Sequence, residues 1–169
     1  MNNPTPLKIV FMGTPDFAVP ALKALNSSPH HIQAVVTVPD KQQGRGRREK
    51  PSAVKIVALE FGLPILQPEK LTSPDFISTL KELTPDVIVV VAFKILPEAV
   101  FILPKYGSFN LHASLLPKYR GAAPIHWALL NGDVETGVTT FFLKRRVDTG
   151  NIIKQIKIPI LPERSEERR

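Results

Sequence analysis

The run Asp86-Val-Ile-Val-Val-Val-Ala92 constrains the fold more than any other stretch of the chain. Its apolar side chains follow one another without alternation, so as a strand it offers hydrophobic groups to both faces of a sheet, and both faces must be covered. Such a strand belongs in the middle of a parallel sheet flanked by helices. Thr84-Pro85 bounds it on the amino side. An α/β protein is therefore expected rather than an all-α or all-β one.

The neighbouring segments fit that frame. Leu7 to Met12 is an apolar strand interrupted only by Lys8, and it runs into a turn signal, Gly13-Thr-Pro-Asp16. Phe17 to Leu25 is spaced as a helix with Pro20 in its first turn, where a missing N–H does no harm. Gln33 to Val38 is the next strand, and Asp40 to Pro51 is expected to be a basic loop. Ser52 to Phe61 has helical periodicity, with Ser52 as N-cap and Gly62 as terminator. Pro64 to Leu66 is a short strand, and Ser73-Pro74 opens a helix with Phe76, Ile77, Leu80 and Leu83 toward the core. Leu96 to Leu103 is expected as a short helix and Ser108 to His112 as a strand. A helix follows from Pro124 to Asn131, then strands at Glu135 to Leu143 and Asn151 to Ile158. The order predicts a three-layer, Rossmann-like, mostly parallel sheet with helices on both faces. In such sheets ligands bind beyond the carboxyl ends of strands. Gly13 to Asp16, Phe93 to Pro97 and His112 all fall at such ends.

At 169 residues the chain suits one domain, and 43% hydrophobic composition supplies a core. Lys and Arg number 22 against 15 Asp and Glu, a net charge of +7 that favours anionic partners such as phosphates or nucleic acid. With no cysteine there is neither a disulfide framework nor a thiolate metal site, and no metal is expected. No apolar run approaches the ~18 residues of a membrane span. Met1-Asn-Asn-Pro lacks the order of a secretion signal. A soluble, cytoplasmic monomer is the expectation.

Chemistry concentrates between Gly107 and Gly121. On a strand, Asn110 and His112 project from one face while Phe109 and Leu111 turn to the other. A carboxamide NH2 and a protonated imidazole can both donate to a carbonyl oxygen that becomes negative during attack. Asp148-Thr-Gly150 follows a strand, and taken alone it reads as a turn former. Arg145 and Arg146 precede it, and a nearby guanidinium favours an ionised carboxylate. Ser114 lacks the Gly-x-Ser-x-Gly elbow of a hydrolase nucleophile. Gly13 to Asp16 lacks Gly-x-Gly-x-x-Gly, and Pro15 removes an N–H that a phosphate would use, which disfavours NAD. His30, His31 and His126 read as solvated or surface residues.

Asn110-Leu-His112, Ser114-Leu-Leu-Pro117, Arg120-Gly-Ala-Ala-Pro124 and Asp148-Thr-Gly150, recurring in that order, resemble the folate-dependent formyltransferases, and within them the branch that formylates the amino group of methionyl-tRNA. The resemblance runs from about Lys8 to Pro159. It implies catalytic roles for Asn110, His112 and Asp148, and contact of Ser114, Leu115, Leu116 and Pro117 with the folate. The co-substrate so implied is 10-formyltetrahydrofolate, with Phe93, Ile95, Leu96 and Val147 expected to line the pterin slot. Gly44-Arg-Gly46 with Pro51-Ser52 is similar to the loop that meets the tRNA acceptor stem, which implies Arg45, Arg47, Arg48 and Lys50 as contacts for initiator methionyl-tRNA.

The expected organisation is a catalytic domain over residues 1–162, shortened relative to the family, and a charged tail over 163–169. The barrel-like second domain that the resemblance would imply is not expected within these residues. Slow formyl transfer with measurable folate binding is expected from such a chain, the tRNA affinity suffering most. Two rivals stand beside this reading: an inactive or RNA-binding remnant, and a transferase or hydrolase of the same fold acting on another substrate.

Overall fold

The computed structural model describes residues 5–43 and 48–161, of which 41–43, 48 and 49 are described by their backbone alone. The chain divides into two compact units, Met1–Ser108 and Phe109–Arg169. Among the described residues no helix is long and apolar enough to cross a membrane.

In the first unit, β1 (Lys8–Gly13) lies between β2 (His31–Val36) and β6 (Val87–Val91) and runs parallel to both. A two-residue strand, β5 (Ile65–Leu66), extends the outer side of β2, also in parallel. All five residues of β6 are buried, as an apolar run with no polar face requires. Val10, Phe11, Met12, Val35, Val36, Ile88 and Val91 are wholly inaccessible and form the centre of the core. Each such side chain contributes about 1.5–3 kcal/mol by leaving water. Gly13 pairs with Val91, so β1 and β6 end level and release their following segments at one edge.

The helices of this unit start where local chemistry says they should. The Ser52 hydroxyl accepts from the Lys55 N–H at 3.1 Å and opens α2 (Ala53–Glu60). Pro20 and Pro74 occupy the first turns of α1 (Val19–Asn26) and α3 (Pro74–Leu83). Asp75 in the first turn and Lys81 in the last complement the dipole of α3.

Three expectations need correction here. The segment 40–51 is not simply a loop: β3 (Lys41–Gln43) and β4 (Arg48–Lys50) form an antiparallel ribbon, with Lys41 opposite Lys50. The ribbon satisfies backbone groups without any apolar alternation that would announce it. The helix expected over Leu96 to Leu103 is confined to α4 (Glu98–Phe101). Leu96 and Leu103 each precede a proline, which disfavours helical backbone at both. The segment Phe17 to Leu25 is a 3-10 turn, Asp16–Ala18, that passes into α1.

In the second unit, β7 (Ser108–His112) enters from the last residue of the first, and β8 (Glu135–Phe142) pairs antiparallel with β7 and with β9 (Ile152–Pro159). Gly137, Thr139 and Phe141 of β8 are buried while their neighbours are not, which fixes the face that carries the unit's interior. The connection 143–151 is too short for a parallel crossover, so β9 turns back on β8. One helix, α5 (Pro124–Leu130), packs against β8.

Candidate active site

On β7, Asn110 stands opposite Phe141 and His112 opposite Thr139, so both project from the face that β8 turns to the interior. His112 is 8% exposed, and the Phe141 ring meets it edge to face at 6.5 Å. Its Nε2 lies 2.8 Å from the carbonyl oxygen of Tyr119. A carbonyl only accepts, so Nε2 carries the hydrogen. That leaves Nδ1 pointing toward Oδ2 of Asp148 at 3.9 Å, close enough for an ion pair and too far for a direct hydrogen bond.

Asp148 holds a left-handed backbone, φ 51°, unusual for a residue with a Cβ. Its Oδ2 accepts from the Gly121 N–H at 2.7 Å, which aims the carboxylate. The turn around it is closed by the Thr149 hydroxyl donating to the Arg146 carbonyl at 2.8 Å. Tyr119 and Ala123 are also left-handed, at φ 56° and 53°. Three such residues in the two segments that frame His112 mark backbone held against its own preference by its surroundings.

Asn110 is half-buried, and among the described residues no side-chain hydrogen bond engages its carboxamide. It is therefore available to a ligand. The Asn110 carboxamide and the neighbouring imidazole, one of whose nitrogens is tied to the backbone, can stabilise negative charge on a bound oxygen, with the Asp148 carboxylate beyond the other ring nitrogen. Among the described residues no group of acidic, histidine and cysteine side chains could hold a metal.

The segment after His112 is stitched from within. The fully buried Ser114 hydroxyl donates to the Lys118 carbonyl at 2.6 Å, so its side chain shapes the loop and presents no surface. Leu115 packs where a Cβ on Gly137 would stand, 2.6 Å from its Cδ2. Leu116 is buried and Pro117, joined to it by a cis bond, is exposed. Farther on, Lys118 donates to both Asp133 oxygens at 2.8 Å, and Tyr119 donates to Asp133 at 2.9 Å. These bonds, that from Lys118 foremost, hold the Asp133 carboxyl below its ordinary range. Asp133 in turn raises Lys118.

The remaining predicted residues are distributed as follows. In the first unit, Leu96 is buried, Phe93 half-buried, and Ile95 is 76% exposed on the segment released by β6. In the second, Val147 is exposed beside Asp148. Arg45 and Arg47 lie outside the described residues; Arg48 begins β4, and Lys50 ends it with its side chain exposed. A cleft of about 450 Å3 in the first unit, lined by Lys8, Leu80, Thr84, Asp86 and Lys105, opens at the amino ends of β1 and β6 and contains none of the motif residues. Sequence reasoning passed over Tyr119, Gly121 and Thr139. Thr139 left a trace, a polar residue on the inward beat of a strand; Gly121, within the Arg120 to Pro124 motif, and Tyr119 meet Asp148 and His112 through backbone groups whose directions residue type does not reveal.

Residues 7–169 match the formyl transferase family, and the chain belongs to it. It is 57% identical over 154 residues to the methionyl-tRNA formyltransferase of Bacteroides fragilis, which takes in 91% of this chain and 48% of that protein. It is 54% identical over 158 residues to that of Pelotomaculum thermopropionicum, covering 93% of this chain and 50% of the relative. The chain spans about half the length of the curated relatives it matches. A solved structure, phosphoribosylglycinamide formyltransferase from Anaplasma phagocytophilum, shares the fold at TM-score 0.75 and 24% identity, over 94% of this chain and 75% of that one. The Streptococcus pneumoniae protein described by the same name does so at TM-score 0.72 and 21% identity, over 92% and 83%. The α/β class expected from the strand pattern is thus the fold of known formyltransferases.

Proposed function

We propose that this chain carries the catalytic half of an enzyme that moves a formyl group from 10-formyltetrahydrofolate to the α-amino group of methionyl-tRNA. The observation that carries the reading is the approach of His112 to Asp148 across 3.9 Å, with Nε2 already committed to Tyr119 and Asn110 on the same strand face. The high identity to relatives named for this activity supports the choice of acceptor.

In this mechanism the neutral amine attacks the formyl carbon. A carbon–nitrogen bond forms, and the carbonyl electron pair moves to oxygen. The Asn110 NH2 and a proton on His112 Nδ1 stabilise that oxyanion, with the Asp148 carboxylate 3.9 Å from the same ring nitrogen. The amine loses a proton, the oxygen's electron pair reforms the carbonyl as the bond to the folate nitrogen breaks, and that nitrogen leaves with the proton. In this reading Asp148 passes that proton from one nitrogen to the other through a water. Leu115, Leu116, Pro117, Phe93, Ile95, Leu96 and Val147 are taken as the folate-lining residues. Ser114 shapes the Leu115 to Pro117 loop through its bond to the Lys118 carbonyl.

For the tRNA, the reading assigns Arg45, Arg47, Arg48 and Lys50, of the basic segment 40–51, to the acceptor stem. Arginine can grip phosphate in a fork or stack on an end base. The enzyme is taken to act as a cytoplasmic monomer, which size-exclusion chromatography tests directly.

The deciding assay follows formyl transfer from 10-formyltetrahydrofolate to methionyl-tRNA, to an amino sugar and to water. Transfer to methionyl-tRNA alone is expected. Removing an oxyanion donor by Asn110→Ala or His112→Ala should lower the rate about 100- to 1000-fold. Near-full activity in either variant overturns the catalytic assignment, and preferential hydrolysis overturns the acceptor.

A further inference from the structure

The catalytic reading accounts for His112 and leaves unexplained why the chain beyond it is held so firmly. Tyr119 is the residue on which the imidazole leans. Its carbonyl reaches His112 from a left-handed backbone, φ 56°, a conformation a tyrosine does not adopt freely. Something must hold it there, and the side chain of the same residue shows what does. The Tyr119 hydroxyl donates to Asp133 Oδ2 at 2.9 Å and accepts from Asn131 Nδ2 at 2.8 Å. The Lys118 ammonium bridges both oxygens of Asp133 and also lies 5.1 Å from the centre of the Tyr119 ring.

We propose that Asp133 is a positioning residue: through Tyr119 it fixes the carbonyl that holds His112 with its hydrogen on Nε2 and its other nitrogen turned to Asp148. This rests on the catalytic reading of His112. Asp133 touches neither the imidazole nor, in that reading, the substrate. Its carboxylate grips the ring end of Tyr119 while the main-chain end grips the histidine. Lys118 is 56% exposed, so its pair with Asp133 supplies geometry more than stability. With the grip released, the Tyr119 backbone relaxes toward an ordinary conformation, the carbonyl withdraws, and the imidazole is free to flip or change tautomer.

The test reads the imidazole itself. Ring-nitrogen NMR of the 169-residue protein reports the tautomer of His112, assigned by its loss in His112→Asn. Asp133→Ala and Tyr119→Phe should shift His112 toward a mixture of tautomers and speed exchange of its Nε2 hydrogen with solvent at least about 10-fold. His30, His31 and His126 should be unmoved. In a formyl transfer assay kcat should fall by about 10- to 100-fold with KM little changed, as for a displaced catalytic group. If both variants fold and the His112 nitrogens keep the wild-type tautomer and exchange rate, the proposal is wrong. Should Asp133→Ala fail to fold, Tyr119→Phe, which removes a single oxygen, decides alone. A wild-type protein that moves no formyl group but shows the tautomer response would sink the functional reading and leave the positioning role standing.

Discussion

Thr139 fastens the segment that begins at Ser114: its hydroxyl donates to the Ser114 carbonyl at 2.6 Å from the middle of β8. The same oxygen accepts from the Leu116 N–H at 3.1 Å and from the Gln155 side chain at 3.0 Å, so its capacity is fully used. Thr139 is completely buried, and water cannot substitute. Thr139→Val keeps the shape and removes the hydroxyl, leaving the Ser114 carbonyl without its donor and the Leu116 N–H without its acceptor. A loss of about 1–3 kcal/mol is expected. Urea titration measures it, and a midpoint equal to wild type would show that the loop does not depend on this bond.

Gly150 admits no side chain. A Cβ there would stand 1.5 Å from the Phe142 carbonyl oxygen, which is backbone and cannot yield as a flexible side chain can. Gly150→Ala must therefore push the 148–151 turn away from β8 and move Asp148 off the Gly121 N–H that aims it. Destabilisation of about 1–3 kcal/mol is expected, as for other overpacked sites. Catalysis should fall further than stability alone explains. A melting temperature and activity both within error of wild type would contradict the close packing.

How much of this was legible in the chain depended on what each residue does. The burial of β6 could be read because five consecutive apolar residues have no polar face to offer. The shared face of Asn110 and His112 followed from strand alternation and holds in the register with Phe141 and Thr139. The role of Tyr119 could not be read, since it depends on the direction of a backbone carbonyl and on hydroxyl partners, Asp133 and Asn131, that lie 14 and 12 residues away. The ribbon of β3 and β4 escaped because Lys, Gln, Arg and Glu lack the alternation by which strands are recognised. The shortening of α4 was readable in principle: proline follows both Leu96 and Leu103.

Asp40, at the foot of that ribbon, predicts an acid response. Its carboxylate takes a hydrogen bond from Lys55 and another from Gln67, whose amide also reaches the Val38 carbonyl. The bond from Lys55, then that from Gln67, lowers the Asp40 carboxyl below its ordinary value of 3.8. A group lowered on folding adds stability that is complete above the ordinary value and disappears as pH falls through the folded one. The root of the ribbon should accordingly loosen only below about pH 4. Carboxyl-carbon NMR of Asp40 checks this. In Lys55→Met the titration should move up toward the ordinary value, and an unchanged titration would remove the Lys55 bond as its cause.

Neighbouring phenylalanines on β8 supply a paired test of its register. Phe141 is wholly buried and backs the His112 ring, whereas Phe142, opposite Phe109 on the other face, is 41% exposed. Phe141→Ala opens a cavity behind the imidazole and should cost about 3–5 kcal/mol. Phe142→Ala loses only part of its burial and opens no enclosed space, so a cost of roughly 1 kcal/mol is expected. The kinetic consequences should divide in the same way. Only the first variant removes the wall that keeps His112 over Asp148, so only it should depress kcat when assayed at a temperature where both remain folded. Equal losses of stability from the two would mean that β8 does not turn Phe141 inward, and the alternation that places Asn110 and His112 on one face would fail with it.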